Sequence, residues 1–484
     1  MTRVRLSRPA LLLLIAGALS AAPLAQQAPD RSKPPAVGPP PALKLPPVEK
    51  RTLSNGLPVW IVGIHKVPTV HFQLAVRSGS SSDPVQKFGL ASLAADMLDE
   101  GAGNRTALEI ADAIDYLGAE LHTSSASDAS YVDLHVPAAR LSDALPLMAD
   151  VITRPTFPES ELKRLREERL TTLIQAKDDP ERLIQYAFPR LLYGPGHRYG
   201  TGALGTALTL QGFTIDDLKR FHSTNYVPSN ALLVVTGDTG PDVVLPQLEK
   251  TLGSWKGASA AAPTPLQLPE APQPTARRVF LIDKPGAAQS QIRIGSVGVP
   301  RSTPDYFAIR VLNTIFGGSF TSRLNANLRE KHGYAYGASS TFDMRRTAGP
   351  FYATAGVQTD KTIEALKEFF NELTRIHETV PAEELERAKN YLAFALPRSF
   401  ETTRNVAQSM SQIYVYNLPA DFYATYGDRL RAIAAADVKR AADKYIVPSK
   451  LIVVVIGDRK VIESGIRALN LGPVTIIDPA EVLK

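Results

Sequence analysis

The sequence predicts an α+β fold made of two duplicated domains, each a mostly antiparallel sheet with helices packed on one face. Strands and helices cluster along the chain instead of alternating as β-α-β units, which favours this class over a parallel sheet. A pattern of helix, proline turn and apolar strand occurs twice. A Pro/Ala-rich stretch divides the 484 residues near their middle. The length is ample for two domains of ordinary size.

The repeated pattern defines the duplication. Pro228 and Pro448 each follow an amphipathic helix and precede an apolar strand that ends in Gly-Asp. Asp238 and Asp458 close those two strands and keep the same spacing of 220 residues. Because order and spacing are both repeated, we interpret the chain as two copies of a domain of about 220 residues.

Periodicity and turn residues place the elements of the first copy in order. Asn55-Gly56 between two short apolar runs predicts a hairpin. The first helix is predicted near 89–98 from its apolar spacing. The remaining elements are strands near 58–63, 70–77, 119–125 and 130–136, and helices near 106–117, 141–152, 159–177 and 181–192.

Composition sets the predicted boundaries. Residues 26–50 contain eight prolines and are interpreted as an extended arm. Residues 257–276 are Pro/Ala-rich and are interpreted as a linker. The two domains are therefore placed at 51–256 and 277–470, with a C-terminal tail at 471–484.

The first 25 residues have the pattern of a signal peptide. Arg3, Arg5 and Arg8 precede an apolar run over 10–19, and small residues follow as far as Ala25. The run is too short to span a bilayer, so we expect no stable membrane insertion, although an uncleaved anchor is the alternative. We expect an exported, periplasmic protein.

Removal of 1–25 takes away three arginines and no acidic residue, lowering the formal charge from +6 to +3. This mild charge favours neither nucleic acid nor an anionic membrane as partner.

Metal chemistry has few possible donors in this chain. The sequence has no cysteine, and this excludes thiolate zinc sites, cysteine nucleophiles and iron–sulfur clusters. It has eight histidines, which with the carboxylates are the remaining metal donors. Asp96, Asp99 and Glu100 share a helix face and are either a polar helix end or a site for a hard cation. His122 and His135 lie on neighbouring predicted strands, as ordinary sheet residues or as a metal pair.

The sequence resembles the insulinase/pitrilysin family of zinc peptidases, the inverzincins, in their two-domain bacterial form. The resemblance rests on the helix near 89–98, on the later Asp178-Asp179-Pro180 and on the repeated proline turn. That family carries an H-x-x-E-H helix, with a general-base glutamate and a distal glutamate ligand. The two histidine positions fall on Ser92 and Asp96, the base on Ala95 and the distal ligand on Thr172. The resemblance therefore implies a degenerate zinc site, with no catalytic residue, no metal ligand and no cofactor in this chain.

The second half retains a different family feature. In the run from Gly317 to Gly337, Arg329 and Tyr336 match an Arg/Tyr pair that the family uses to bind substrate. Guanidinium and phenol can both donate hydrogen bonds to a peptide carbonyl or to an oxyanion. A surface arginine and an ordinary sheet tyrosine are the alternative. Arg323 is interpreted as a brace for the helix start, and Arg345-Arg346 as a solvated hairpin tip.

The resemblance implies a function in a two-chain assembly. Some bacterial relatives pair a zinc-bearing chain with an Arg/Tyr-bearing chain, and each forms one half of a clamshell. This chain is then a non-catalytic subunit that is active only with a homologous H-x-x-E-H partner, which holds the zinc and cleaves peptides. The alternatives are a stand-alone peptide-binding or assembly protein with a peptidase-like fold, and a hydrolase whose catalytic residues carry no familiar motif.

Overall fold

The structure, a computed structural model, describes residues 38, 45–257, 263 and 267–483. The predicted signal peptide at 1–25 and most of the proline-rich arm at 26–50 lie outside the described residues. Two six-stranded sheets organise the described chain, one in each half. The strands are β1 Glu49–Thr52, β2 Pro58–Gly63, β3 Thr69–Val76, β4 Gly101–Ala102, β5 Arg105–Thr106, β6 Glu120–Ser125, β7 Ser130–Pro137, β8 Ala231–Gly237, β9 Arg278–Asp283, β10 Gln289–Val297, β11 Ala335–Phe342, β12 Pro350–Gln358, β13 Ile452–Gly457 and β14 Val474–Ile477.

Helices cover both sheets. Those of the first half are α1 Leu90–Asp96, α2 Ala107–Tyr116, α3 Leu141–Thr153, α4 Glu159–Asp178, α5 Pro180–Tyr193, α6 Ala207–Gly212, α7 Ile215–Asn225 and α8 Pro241–Leu252. Those of the second half are α9 Tyr306–Phe316, α10 Arg323–Asn325, α11 Thr362–Arg375, α12 Ala382–Ala395, α13 Thr403–Val415, α14 Tyr426–Arg431, α15 Ala435–Tyr445 and α16 Arg459–Ala468. A π-helical turn, Ala326–Lys331, continues α10.

The two sheets confirm the predicted duplication. The first has the strand order β1-β2-β8-β3-β7-β6, and the second has the order β11-β12-β10-β13-β9-β14. Matching strands occupy matching places: β3 pairs antiparallel with β7 and β8, and β10 with β12 and β13. Each sheet also contains a parallel pairing, of β2 with β8 and of β9 with β13. The predicted hairpin is present, because β1 pairs antiparallel with β2 around Gly56 at φ +87°.

One helix of each half packs on the sheet of the other half, and we call these two helices, α5 and α13, the exchanged helices. In the first half, α5 packs Leu183, Ile184 and Phe188 against the second sheet, where Ile282 and Val454 belong to the same apolar cluster. In return, α13 places its apolar face on β3 and β8 of the first sheet. The prediction of helices on one face therefore missed a layer, because the opposite face of each sheet is covered by the exchanged helix.

Polar contacts fix the exchanged helix α13. Ser411 donates to the buried Gln73 side chain across 2.6 Å. The Arg77 guanidinium donates from Nε to the Tyr414 carbonyl at 3.1 Å and lies 3.7 Å from the centre of the Tyr414 ring. The described residues from 45 onward accordingly form one compact unit.

The predicted tail and the predicted linker both contribute packed residues to the fold. The predicted tail at 471–484 supplies β14, which pairs parallel with β9. In the described part of the linker, Leu268 and Ala271 pack against the cluster around α5. The Pro269 carbonyl lies 3.0 Å from Nε2 of His197. Within the described ranges, no helix is long and apolar enough to cross a membrane.

Because α5 of the first half packs on the sheet of the second half, we predict that the two halves unfold in one cooperative transition. Phe188 is 1% exposed and packs edge-on against Tyr352 of the second sheet. Phe188→Ala should lower the free energy of unfolding by about 3–5 kcal/mol, because it leaves a cavity between the halves. Urea unfolding followed by tryptophan fluorescence checks this, because Trp60 and Trp255 both lie in the first half.

In the Phe188→Ala variant, far-ultraviolet circular dichroism should give the same midpoint as fluorescence. Tyr116→Ala is the matched control, because Tyr116 is 80% exposed and its loss should change stability by less than about 0.5 kcal/mol. An unchanged fluorescence midpoint in the Phe188→Ala variant would show that the two halves unfold independently.

Candidate functional site

The first helix, α1, is fixed at its start by a buried carboxylate. Asp83 accepts from the backbone N–H groups of Gly89 and Ala91, each at 2.7 Å, and from Arg198 at 2.8 Å. Gly89 has φ +100°, and a Cβ there would lie 2.6 Å from the Leu204 carbonyl oxygen. Burial raises the pKa of Asp83 to about 6, although Arg198 and the two N–H groups oppose the shift. The helix axis is therefore set by contacts at its first turn.

An arginine occupies the polar face of α1. Ser92 and Asp96 stand one turn apart, so their side chains project from the same face. Arg169 of α4 donates from a single nitrogen, Nη2, to Ser92 Oγ at 3.0 Å and to a carboxylate oxygen of Asp96. The Arg169 side chain is 5% exposed, whereas that of Asp96 is 42% exposed. The guanidinium thus bridges the two positions at which the resemblance places the zinc-binding histidines.

The remaining positions of the degenerate site supply neither ligand nor base. Ala95 is fully buried and carries only a methyl group. Thr172 stands three residues after Arg169 on α4, and its hydroxyl donates back to the Glu168 carbonyl of its own helix at 2.9 Å. The residues present do not fit a zinc ion, because a permanently charged guanidinium already holds the one carboxylate of the site.

The neighbouring carboxylates do not converge on a second cation. Asp99 accepts from the Thr123 hydroxyl at 3.4 Å, and Glu100 pairs with Arg164. Burial raises the pKa of both carboxyl groups, and for Glu100 the contact with Arg164 works in the opposite direction. Within the described residues, no group of three or more His, Asp or Glu side chains is placed to hold a metal ion.

Arg329 and Tyr336 lie together in the second half. Arg329 belongs to the π-helical turn Ala326–Lys331, and Tyr336 belongs to β11, the edge strand of the second sheet. The pairing of β11 with β12 shifts register between Ala335 and Ala338, so Tyr336 lies in a β-bulge. The Arg329 guanidinium carbon lies 5.0 Å from the Tyr336 ring centre and 4.7 Å from that of Phe320.

This pair is open to solvent and holds free donors. Tyr336 is 87% exposed and Phe320 is 61% exposed. Arg329 uses Nε in a 3.1 Å contact with Glu330, and among the described residues no acceptor contacts its Nη groups. A guanidinium held between two aromatic rings and a nearby phenol can donate together to one carbonyl oxygen. The arrangement can therefore bind a peptide carbonyl and stabilise an oxyanion.

Other predicted residues have structural roles. Arg323 braces the helix start as expected, through a paired contact with Glu384. The prediction of a solvated tip at Arg345-Arg346 is wrong. Arg345 pairs with Asp343 at 2.6 Å and stacks on Tyr199 of the first half, while Arg346 donates to the Asp128 carbonyl. The two arginines of this hairpin tip therefore serve to join the second half to the first half.

The two histidines considered as a metal pair do not face each other. In the register of β6 with β7, His122 lies opposite Asp133 and His135 lies opposite Glu120. His135 instead neighbours His71, with ring centres 6.0 Å apart, and His71 Nε2 lies 3.0 Å from Asp133. These residues form part of the packing of the first sheet.

Two residues of the site were missed from the sequence. Arg169 carried a signal, because it stands three residues before Thr172 on one helix face and so points to the same place. Phe320 carried a weaker one, as an exposed aromatic residue shortly before α10. Neither follows a motif, and each is recognised by what it contacts.

Comparison with known proteins identifies the family of the chain. Residues 60–193 match the family model "Insulinase (Peptidase family M16)", and residues 212–392 match the model "Peptidase M16 inactive domain". A Bacillus subtilis protein described as an uncharacterized zinc protease is 25% identical over 74% of this chain and 86% of its own length. A similar protein of Streptomyces coelicolor is 27% identical over 68% of this chain and 72% of its own length.

Solved structures show the same architecture. A peptidase M16 inactive domain from Pseudomonas fluorescens superimposes with a TM-score of 0.78 at 25% identity, covering 85% of this chain and 98% of that one. A protease from Helicobacter pylori gives a TM-score of 0.79 at 23% identity, covering 85% and 100%. The two-sheet arrangement is therefore shared with a chain described as an inactive domain and with a chain described as a protease.

The contact of Arg169 predicts how the degenerate site responds to metal donors. Ser92→His, Asp96→His and Thr172→Glu together supply an imidazole and carboxylate donor set. With Arg169 retained, this triple variant should bind zinc weakly, because a fixed positive charge occupies the site. Adding Arg169→Met should tighten zinc binding by about tenfold or more, since it removes the like charge. Competition with a chromophoric chelator measures the dissociation constants.

Arg164→Met is the control for Arg169→Met. It removes an arginine of the same helix that pairs with Glu100 instead of the site residues. It should leave the zinc affinity of the triple variant unchanged within about twofold. If the triple variant binds zinc equally well with and without the added Arg169→Met change, the guanidinium does not block the site.

Proposed function

Because the chain belongs to the insulinase (M16) peptidase family, we propose that it is a non-catalytic subunit of a zinc metalloendopeptidase. In this proposal, its partner is a homologous chain with an intact H-x-x-E-H helix, which holds the zinc and the general base. This chain supplies half of the chamber wall and the Arg/Tyr pair. The substrates are peptides.

The observation that carries the proposal is the guanidinium of Arg169 between Ser92 and Asp96. Arginine stays protonated in proteins, so it can neither activate a water molecule as a metal does nor accept a proton. Ala95 offers no base at the neighbouring position. Hydrolysis by this chain alone would need residues outside the family's site.

The exposed pair of Arg329 and Tyr336 supports a role in substrate binding. Both donors lie at the edge strand β11, and Tyr336 is 87% exposed, so a peptide can reach the phenol and the guanidinium from solvent. In the proposed complex, the peptide's scissile carbonyl accepts from the guanidinium and the phenol. Both hydrogen bonds strengthen as negative charge develops on that oxygen, which lowers the barrier more than it tightens binding of the ground state.

The proposed setting is an exported, periplasmic complex. It is supported by the basic, apolar and small-residue pattern over residues 1–25. The zinc protease descriptions of the relatives support a peptidase partner, because a chain without metal ligands needs one to take part in that chemistry. No cofactor is assigned to this chain in the proposal.

The pair can be tested in the reconstituted two-chain enzyme. Arg329→Ala and Tyr336→Phe should each lower kcat on a quenched peptide by about 10²–10³, the usual effect of losing one oxyanion donor. Tyr336→Phe removes a single hydroxyl from an exposed ring, so KM should change less than kcat. Co-purification of the two chains should be unaffected, because both side chains lie at the surface.

Neighbouring residues provide matched controls. Lys331→Ala removes an exposed cation two residues from Arg329, and Tyr334→Phe removes a hydroxyl two residues from Tyr336. Both should leave kcat within about twofold of wild type. Wild-type turnover by both site variants would reject the role of the pair.

Failure of any H-x-x-E-H homologue from the same genome to bind the chain would favour the stand-alone peptide-binding protein.

A further inference from the structure

A cavity of about 780 Å³ lies at the seam between the halves and is lined by cations from both. The first half contributes Arg77, Lys87 and Arg220, and the second contributes Arg301 and Arg346. The acidic residue in the lining is Asp217. Five positive side chains around one negative one create a strongly positive potential in a concave, partly enclosed space.

Two of these cations have no counter-charge among the described residues. Arg301 is held by aromatic stacking, with its guanidinium carbon 3.8 Å from the Tyr306 ring centre and 4.9 Å from that of Phe422. No acceptor in the described part of the chain contacts the guanidinium N–H groups of Arg301 or Arg220. Arg301 is therefore preorganised while its five donors remain available.

Of the other three cations, Lys87 pairs with Asp217, whereas Arg77 and Arg346 are anchored by carbonyl groups of the protein. Arg77 donates to the Tyr414 carbonyl, and Arg346 donates to the carbonyls of Arg77 and Asp128. Burial lowers the pKa of Arg77, and the nearby Arg346 lowers it further, although Tyr414 acts in the opposite direction. Carbonyl contacts place these guanidinium groups without neutralising them, so they add to the positive potential.

Local carboxylates compensate only part of this charge. The Asp128 carboxylate, beside the cavity, accepts from the Arg346 backbone N–H at 2.8 Å. Asp217 is already engaged by Lys87 Nζ at 2.8 Å. The linker borders the cavity at Pro263. The net charge of the lining therefore favours a ligand that carries more than one negative group.

We propose that this cavity is a binding site for a small multiply charged anion, a polycarboxylate or a polyphosphate. The volume lies in the range of small-molecule sites, and a ligand there contacts both halves at once. Charge-assisted hydrogen bonds from Arg220 and Arg301 hold its anionic groups, with Arg77 and Arg346 behind them. The site is separate from the Arg/Tyr pair, because Tyr336 is the second residue of β11 whereas Arg346 follows the end of that strand, roughly 20 Å further along the chain.

Isothermal titration calorimetry on the full chain tests the site. The probes are inorganic tripolyphosphate and citrate, each added at constant ionic strength set by sodium chloride. We expect saturable binding of one probe per chain. Arg220→Gln with Arg301→Gln should weaken it by about tenfold or more, because each glutamine removes a charged donor. The probe that binds more tightly distinguishes a phosphate from a carboxylate ligand.

Lys219→Gln is the matched control, because Lys219 is exposed, precedes Arg220 on α7 and does not line the cavity. It should leave the dissociation constant within about twofold of wild type. Circular dichroism should show that the double variant keeps the wild-type fold. Two results would overturn the proposal: no saturable binding of either probe at low salt, or binding by the folded double variant that is as tight as wild type.

Discussion

The contact of Arg169 with Ser92 and Asp96 is the interaction on which the account of the first half depends. A guanidinium that is 5% exposed must be paired, because a buried unpaired charge is strongly destabilising. Asp96 supplies the negative charge and Ser92 supplies a neutral acceptor. The guanidinium thus lies at the two positions where the resemblance places the zinc-binding histidines. Its contacts join α1 to α4.

The exchanged helices explain how the two halves of the chain are held in one rigid arrangement. Because α5 covers the second sheet and α13 covers the first, neither half can separate without exposing a large apolar face. The seam is reinforced by Arg345 stacked on Tyr199 and by Arg346 bound to the Asp128 carbonyl. This rigid arrangement fixes the basic cavity between the halves, and it suits the chamber wall of the proposed complex.

Local sequence patterns predicted the elements well, because their causes are local. The Asn55-Gly56 turn, the helix over 90–96 and the repeat at Pro228 and Pro448 all depend on neighbouring residues. The partner of a buried charge is not local: Arg169 is 77 residues from Ser92 and 73 from Asp96. Amphipathicity shows that α5 buries a face, but not which sheet receives it. Arg345 was misplaced for the same reason, since its ring partner Tyr199 lies in the other half.

The zinc content of the native chain distinguishes an arginine-occupied site from a metal site. The full-length protein would be expressed with added zinc, freed of loosely bound metal by gel filtration and measured by elemental analysis. Because Arg169 holds the one carboxylate of the site, we predict far less than one zinc per chain and no peptidase activity that a chelator removes. One tightly held zinc per chain, lost together with activity in an Asp96→Ala variant, would contradict the account.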